Sequence, residues 1–224
     1  MKVIGIITMV IDHVGKVFFP YDLYWQMVGR LCFPIFAFCL VVGFLYTANR
    51  RKYFTRLAVL ALVSQPFYVF AFEYDYWEPN IFVTLLLGLA SLWFLHKKWW
   101  LAYAAVCIVV IVAPIDYGIE GMLMINCMYL FRNTRLWAIL SLSSLFIMQL
   151  FIDLDGILSE LILTQKFHLS PSPSLNFLGL FALPLLYANV GFKFKMSRGF
   201  FYAFYPLHLF AIMLAKHIYG IFLM

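Results

Sequence analysis

Long apolar segments with almost no charge follow one another along nearly the whole chain, and short charged loops separate them. Of the 224 residues, 65% are hydrophobic and 12% are charged, whereas soluble domains have about half and about a quarter. In a bilayer, helices and closed barrels are the structures that satisfy all their backbone hydrogen bonds. The apolar runs here are continuous rather than alternating, which indicates helices. We therefore predict an all-α, polytopic transmembrane helix bundle that forms a single domain over residues 1–224.

About nine spans are expected, within a range of eight to ten. The predicted helices cover residues 3–19, 24–48, 54–72, 80–96, 99–114, 117–131, 136–152, 174–191 and 199–221. The first is interpreted as a retained helix, because Asp12 and His13 interrupt its apolar run and no small-residue cleavage site follows. The connection between Asp153 and Ser174 is the longest, and it is expected to contain a short interfacial helix.

The charges of the loops alternate in sign along the chain. With the N-terminus inside, the inner connections hold 12 of the 16 basic residues and the outer connections hold nine of the ten acidic residues. Basic residues are retained on the cytoplasmic side during insertion, so the pattern predicts a cytoplasmic N-terminus. The same bias explains the net charge of +6 without nucleic acid as a partner; membrane lipid surrounds the chain instead.

A few ionisable residues fall inside the apolar segments, where charge is costly and is usually functional. They are Asp12, His13 and Lys16 on the first predicted helix, Arg30 on the second and His208 on the last. At about 1.5 Å per residue, His13 and His208 lie about 15 Å along their helices and Arg30 about 9 Å. The similar depths lead to the hypothesis that these groups form one site.

A purely structural interpretation of the same residues is also open. Asp12 and Lys16 are spaced i, i+4 and can neutralise each other on one helix. Arg30 can pair with Asp12 and fix two helices together. His208 follows Pro206, whose missing N–H leaves a carbonyl for the imidazole to satisfy.

The remaining polar and sulfur-containing residues inside the helices have simpler interpretations. Interhelical hydrogen bonds are expected for Ser64, Gln65, Asn126 and Gln149. Thr84 is expected to bond to its own helix, and His96, beside Lys97, is expected to be solvated. The cysteines are interpreted as small buried hydrophobes; they are Cys32, Cys39, Cys107 and Cys127. No metal-ligand spacing and no glycine-rich phosphate loop is present, so no metal is expected.

Several motifs, in order along nearly the whole chain, resemble the TraX family. The two most specific are Ile11-Asp12-His13-Val14-Gly15 and the run from Gly29-Arg30 through Phe33-Pro34 to Phe38. The likeness continues through five shorter motifs, which are Asn49-Arg50-Arg51-Lys52-Tyr53, Ser64-Gln65-Pro66, the run Asn80 to Leu85, Tyr117 to Gly121 and Tyr205-Pro206-Leu207-His208-Leu209.

The resemblance implies a reaction class and a place in the cell. That family is named for a conjugative pilin N-acetylase, and it looks related to multi-helix acyltransferases that use cytoplasmic acyl-CoA. It implies acetyl-CoA as the acyl donor, a bacterial cytoplasmic (inner) membrane location and a catalytic histidine at His13. The acceptor stays open between a peptide N-terminus, a sugar hydroxyl and a lipid head group.

Acyl transfer from a thioester requires a base and a positive group that stabilises the oxyanion. His13 is the expected base, with His208 as a second candidate or as the group that orients His13. Asp12 is expected to hold Arg30 or to reach His208, and Arg30 to stabilise the thioester oxygen or a donor phosphate. Because the resemblance implies an anionic donor, its phosphates are assigned to four cations at the cytoplasmic mouth, which are Arg50, Arg51, Lys52 and Arg56. The positive-inside bias is the alternative explanation of the same cations.

Two other function classes fit the same residues. Intramembrane Asp and His residues also serve as proton relays, which allows a proton-coupled transporter. A non-catalytic assembly protein, in which the charges only fix helix packing, is the other alternative.

Overall fold

A computed structural model describes residues 2–113, 115–133 and 198–222, together with the single positions 143, 179, 181 and 182. These residues form helices and turns, and no strand occurs among them. The eight helices are α1 (Lys2–Phe18), α2 (Leu23–Gly29), α3 (Cys32–Tyr46), α4 (Arg50–Phe72), α5 (Ile81–Lys97), α6 (Trp100–Val112), α7 (Gly118–Leu130) and α8 (Arg198–Phe222). The all-α class is confirmed for this part of the chain.

The apolar helices indicate a membrane protein. The stretches Tyr24–Tyr46 and Arg50–Phe72 are long and apolar enough to cross a bilayer, with mean hydropathies of 2.2 and 1.4. Helices α5, α6 and α7 are apolar but shorter. Apart from the four single positions, the predicted helices 136–152 and 174–191 and the connection 153–174 lie outside the described residues, so the total of nine spans remains a prediction.

The second predicted helix, 24–48, is interrupted. Helix α2 ends at Gly29, Arg30 and Leu31 form a turn, and α3 then begins at Cys32. Pro34 explains the position of this break: it has no N–H to donate to the carbonyl of Arg30, and its ring crowds that carbonyl. The proline therefore places Arg30 at the junction of two helices rather than inside one.

The contacts divide the chain into two compact units. Unit 1 comprises residues 1–36 and 131–190, and unit 2 comprises residues 37–130 and 191–224. The single domain over residues 1–224 remains a prediction.

Within unit 1, α1 packs closely against α2 and the first turn of α3 through three glycines. A Cβ atom at Gly5 would lie 3.0 Å from Ile35, one at Gly15 would collide with Trp25, and one at Gly29 would collide with Asp12. These pairings run in opposite directions along the two segments, so the helices are antiparallel. Small residues at such contacts let the helix backbones approach each other, which is how membrane helices associate.

Within unit 2, buried amide side chains fix the connection between α4 and α5. Asn80 is fully buried and caps α5, since its Oδ1 accepts from the N–H of Phe82. Its Nδ2 donates to the carbonyl of Ala61 at 2.8 Å and to Oε1 of Gln65 at 2.7 Å. The interhelical bond predicted for Gln65 is confirmed in this form, because Gln65 joins α4 to the residue that caps α5.

Helices α5 and α7 run in the same direction and share a line of polar contacts. The Thr84 hydroxyl donates to the carbonyl of Asp116 at 2.7 Å, near the start of both helices. In the middle, the Ser91 hydroxyl donates to Asn126 at 3.0 Å, and Asn126 donates to the Tyr103 hydroxyl at 3.0 Å. The predicted interhelical role of Asn126 is confirmed. The prediction that Thr84 bonds its own helix is wrong, because Asp116 offers a carbonyl outside that helix.

Helix α8 runs parallel to α4. Phe67 packs edge-on against Phe210 at 5.9 Å between ring centroids, and Nζ of Lys216 lies 2.8 Å from the carboxylate of Glu73. Ser64 on α4 is fully buried, but its hydroxyl has no hydrogen-bond partner in the described ranges, so its predicted interhelical bond is not found there. The Gln149 prediction lies outside the described residues.

Candidate functional site

In unit 1, the α1–α2 contact brings the carboxylate of Asp12 to the helix break that contains Arg30. Asp12 is 8% exposed and Arg30 is 9% exposed. Because position 29 carries no side chain, the carboxyl group lies directly against the backbone next to Arg30. A buried acid and a buried base are therefore held at the junction of α2 and α3, in a segment apolar enough to cross a membrane.

The ion pair of Asp12 is formed with Lys16. Oδ2 of Asp12 lies 2.8 Å from Nζ of Lys16, one turn further along α1, as the i, i+4 spacing allows. The other oxygen, Oδ1, is buried and has no hydrogen-bond partner among the described residues. Arg30 does not form the expected pair with Asp12.

Arg30 itself has no acidic partner in the part of the chain that the structure describes, and its buried Nε has no hydrogen-bond acceptor there. Its backbone N–H bonds to the carbonyl of Gln26 at 3.1 Å, so the residue still ends α2 in helical geometry. A buried guanidinium of this kind favours an anionic ligand, because an uncompensated charge in a membrane segment is costly.

His13 lies on a different face of α1. It is 7% exposed and shares that buried face with Met9, one turn earlier, and Ile6, two turns earlier. Adjacent residues of a helix point about 100° apart, so His13 does not face α2 in the way that Asp12 does. The two neighbouring residues therefore have different surroundings. Asp12 pairs with Lys16 at the contact with α2, and His13 lies on the adjoining face of α1.

An open groove of about 760 Å³ lies beside the α1–α2 turn. Its lining is mainly aromatic and apolar and comprises Phe18, Phe19, Pro20, Tyr21, Asp22, Tyr24 and Met27. Phe18 follows His13 on α1 by about 7.5 Å of helix rise.

His208 belongs to unit 2, where it is buried on α8. Its Nδ1 lies 3.1 Å from the carbonyl of Phe204, and its ring stacks on the Phe204 ring at 5.5 Å and 9°. A carbonyl only accepts, so Nδ1 carries the proton and the lone pair of the neutral ring is on Nε2. The structural interpretation of His208 is supported in part: the ring does bond to a backbone carbonyl one turn earlier on α8.

The four cations assigned to the donor phosphates begin α4 but do not face one direction. Arg50, Arg51, Lys52 and Arg56 project at about 0°, 100°, 200° and 240° around the helix axis. Arg50 and Arg56 are half-buried, whereas Arg51 and Lys52 are exposed. The guanidinium of Arg50 lies over the Phe44 ring, 4.5 Å from its centroid. The helix geometry therefore separates the four rather than forming one cradle.

A histidine–tyrosine pair that the sequence did not single out lies beside Phe44. His96 is exposed, in agreement with its predicted solvation, yet its Nδ1 lies 2.7 Å from the Tyr129 hydroxyl. The sequence signal was weak, because the two residues are separated by 33 positions and lie on different helices. Only the shared direction of α5 and α7 brings them together.

Comparison with known proteins identifies the family. The profile of the TraX protein family matches residues 1–216. A probable fimbrial assembly protein FimC, serogroup H1, from Dichelobacter nodosus is 35% identical over 107 residues, which are 41% of this chain and 43% of that protein. Protein TraX from Escherichia coli (strain K12) is 28% identical over 134 residues, which are 56% of this chain and 52% of that protein.

The chain therefore spans about half the length of these curated relatives. No solved structure matches it significantly. The family match covers almost the whole chain and includes every residue of the candidate site, from Asp12 to His208. The chain belongs to the TraX protein family.

Proposed function

We propose that this protein is a membrane-embedded acyltransferase. It moves an acyl group, with acetyl as the expected group, from acetyl-CoA to an acceptor in or across the membrane. The observation that carries the proposal is the buried charged group of unit 1, where Arg30 has no acidic partner in the described residues and adjoins a histidine-bearing helix. Membership in the TraX protein family supports the same reaction class.

The proposed step is a nucleophilic attack on the thioester carbonyl. The acceptor nitrogen or oxygen forms a bond to the carbonyl carbon while His13 takes the acceptor's proton, since a neutral imidazole is a competent base near pH 7. Arg30 stabilises the oxyanion as it develops. The carbon–sulfur bond then breaks, the acyl group stays on the acceptor, and the CoA thiolate leaves with the proton held by His13.

The ion pair of Asp12 with Lys16 has a positioning role in this scheme. Lys16 neutralises one oxygen of the carboxylate, so Asp12 does not quench the positive charge of Arg30. The contact of Asp12 with Gly29 fixes the distance between α1 and the helix break. His208, with its lone pair on Nε2, is kept as the second candidate base.

The acceptor is proposed to be a peptide N-terminus, and the name of one relative, a probable fimbrial assembly protein, favours a fimbrial subunit. The aromatic groove beside the α1–α2 turn suits an apolar peptide segment, because its lining is largely uncharged. The proposed location is the bacterial inner membrane, with a cytoplasmic N-terminus that matches the supply of acyl-CoA. The candidate ligands of the donor phosphates are Arg50, Arg51, Lys52 and Arg56, and their different directions mean that they do not all bind the same phosphate.

The test is acetyl-CoA turnover by the purified protein in detergent. We expect slow thioester hydrolysis by the wild type and a loss of about 100-fold or more in His13→Ala, the range in which proton transfer contributes. Arg30→Ala is expected to lose about 100-fold or more through the oxyanion. His217→Ala removes an exposed histidine of α8 and serves as the matched control.

Two results would overturn the proposal. One is a folded wild type that binds no CoA. The other is a His13→Ala variant that retains wild-type turnover together with a His208→Ala variant that does so as well, because the chain would then lack a base among its proposed candidates.

A non-catalytic assembly role is the second candidate, and the Asp12–Lys16 ion pair favours it, because the pair neutralises part of the buried charge without any ligand. This role predicts that His13→Ala supports fimbrial assembly as well as the wild type, whereas Asp12→Ala reduces the amount of folded protein. A proton-coupled transporter predicts flux driven by a pH gradient in vesicles, which the acyltransferase does not.

A further inference from the structure

Four helix ends meet at one end of unit 2 around the ring of Phe44. Phe44 is fully buried near the end of α3. Arg50, at the start of α4, lies over its face at 4.5 Å. His96, at the end of α5, and Tyr129, at the end of α7, both pack edge-on against it at 5.7 Å. We call these four residues the Arg50 cluster.

The Arg50 cluster holds its polar groups in fixed positions. The guanidinium of Arg50 lies over the face of the buried Phe44 ring, a contact that favours the charged group at this place. The imidazole and the phenol share a hydrogen bond of 2.7 Å. Between them, a neutral His96 and Tyr129 carry one N–H donor and one O–H donor.

The charge around the cluster has one sign. Within the described part of unit 2, the charged residues at this end are all basic, and they are Arg50, Arg51, Lys52, Arg56, Lys97, Lys98 and Arg198. The acidic residues of the same range lie at the other end of its helices, which are Glu73, Asp75, Glu78, Asp116 and Glu120. The bias of membrane proteins toward positive cytoplasmic loops accounts for exposed lysines, but it does not require an arginine seated on a buried ring beside a histidine–tyrosine pair.

We propose that the Arg50 cluster is a binding site for the phosphates of the CoA donor, with Arg50 as the principal ligand and the His96–Tyr129 pair as a second hydrogen-bond donor. This inference rests on the proposed function and refines it, because His96 and Tyr129 enter the donor site and Arg50 is separated from the other three cations of α4. Arginine suits the task because its planar fork matches the oxygens of a phosphate.

The test compares the binding of CoA with that of pantetheine, the portion of CoA that lacks phosphates, to full-length protein in detergent. The wild type is expected to bind CoA at least tenfold more tightly than pantetheine. Arg50→Gln is expected to weaken CoA binding about tenfold to a hundredfold, and to leave pantetheine binding within about twofold, because a charge-assisted phosphate contact is lost. Tyr129→Phe together with His96→Ala is expected to weaken CoA binding about threefold to tenfold.

Lys216→Gln is the matched control, since it removes the same charge near the opposite end of α4, where Lys216 pairs with Glu73. It is expected to leave CoA binding within twofold. Because Arg50→Gln removes a contact with a buried ring, Arg50→Lys is measured as well; it keeps the charge, and an intermediate loss is expected with an unchanged melting temperature.

The outcomes separate the inference from the proposed function. CoA binding that is unaffected by Arg50→Gln and by the His96–Tyr129 double variant overturns the inference and leaves acyl transfer standing. CoA binding that depends on the Arg50 cluster, without any acyl transfer, supports the phosphate-binding site and contradicts the proposed acyltransferase activity. A folded wild type that binds no CoA overturns both.

Discussion

At the scale of single residues, a missing side chain at position 29 allows the charged helices of unit 1 to approach each other. The carboxyl group of Asp12 occupies the space that a Cβ atom at Gly29 would take. The same carboxyl group bonds Lys16 along its own helix. Asp12 therefore makes two contacts. One is the ion pair with Lys16 within α1, and the other is a contact with the backbone of α2 at Gly29, next to Arg30.

Gly29→Ala is expected to destabilise the protein by about 1–3 kcal/mol, because the new methyl group forces α1 and α2 apart. The expected consequence is a lower melting temperature in detergent and a loss of acetyl-CoA turnover. Gly199→Ala is the control, since a Cβ atom at that position meets no atom within 4 Å. A Gly29→Ala variant as stable and as active as the Gly199→Ala variant would contradict the packing described for Asp12.

At the scale of helices, two features define the interior: the break before α3 and the polar line between α5 and α7. The break arises from one proline whose missing hydrogen bond falls on Arg30. The polar line joins parallel helices through the bonds of Thr84, Asn126 and His96 to residues of the partner helices. In lipid, where apolar contact with a neighbouring helix resembles contact with acyl chains, such bonds help to set which helices pair.

Pro34→Ala is expected to restore the hydrogen bond to the carbonyl of Arg30 and to join α2 and α3 into one helix. Arg30 then leaves the junction, so turnover is expected to fall about tenfold or more while the melting temperature changes by only a few degrees. Pro66→Ala is the matched control, because Pro66 is exposed within the uninterrupted helix α4. Equal turnover in the two variants would show that the break between α2 and α3 does not contribute to activity.

The Ser91–Asn126 bond is expected to contribute to the pairing of α5 with α7. In a double-mutant cycle of Ser91→Ala and Asn126→Ala, we expect a coupling of about 0.5–1.5 kcal/mol, measured by unfolding in mixed micelles. Asn126→Ala alone is expected to cost more than Ser91→Ala alone, because it also leaves the Tyr103 hydroxyl without the amide donor. Strictly additive single losses would show that the bond does not stabilise the helix pair.

At the scale of the molecule, the helix directions of unit 2 collect opposite charges at opposite ends. Because α5 and α7 are parallel and α4 and α8 are parallel, the starts of α4 and α8 and the ends of α5 and α7 lie at the basic end. This arrangement agrees with the alternation of loop charges along the sequence. From the positive-inside bias we propose that the basic end faces the cytoplasm.

Labelling of single cysteines tests that assignment. In a variant whose four native cysteines are replaced by alanine, Tyr76→Cys is expected to react with a membrane-impermeant maleimide in intact cells. Lys97→Cys is expected to react only after permeabilisation. Both positions are exposed; Lys97 is at the end of α5, and Tyr76 is in the connection that precedes its start. The reverse labelling pattern would mean that the basic end faces away from the cytoplasm, and it would exclude cytoplasmic acyl-CoA as the donor.

The sequence predicted the helices well, because long apolar runs and charged loops report directly on membrane segments. Six predicted helices agree with the structure to within a few residues. Contacts between helices were harder to predict from the sequence. Pro34 accounts for the break at Arg30, but only the backbone of the structure shows that Arg30 lies between two helices. The bond of Thr84 to Asp116 and that of His96 to Tyr129 join residues more than 30 positions apart, and no local pattern indicates them.

Helices α6 and α7 each contain 13 residues, so each is about 20 Å long, whereas the hydrocarbon layer of a bilayer is about 30 Å thick. Hydrophobic mismatch of this size is relieved when lipid thins around the short helices. We therefore expect the bilayer to be thinner beside α6 and α7 than elsewhere, and under the proposed function an acceptor at that place would cross a shorter apolar distance. Turnover that falls as the protein is reconstituted into lipids of longer acyl chain would bear this out, and turnover independent of chain length would exclude it.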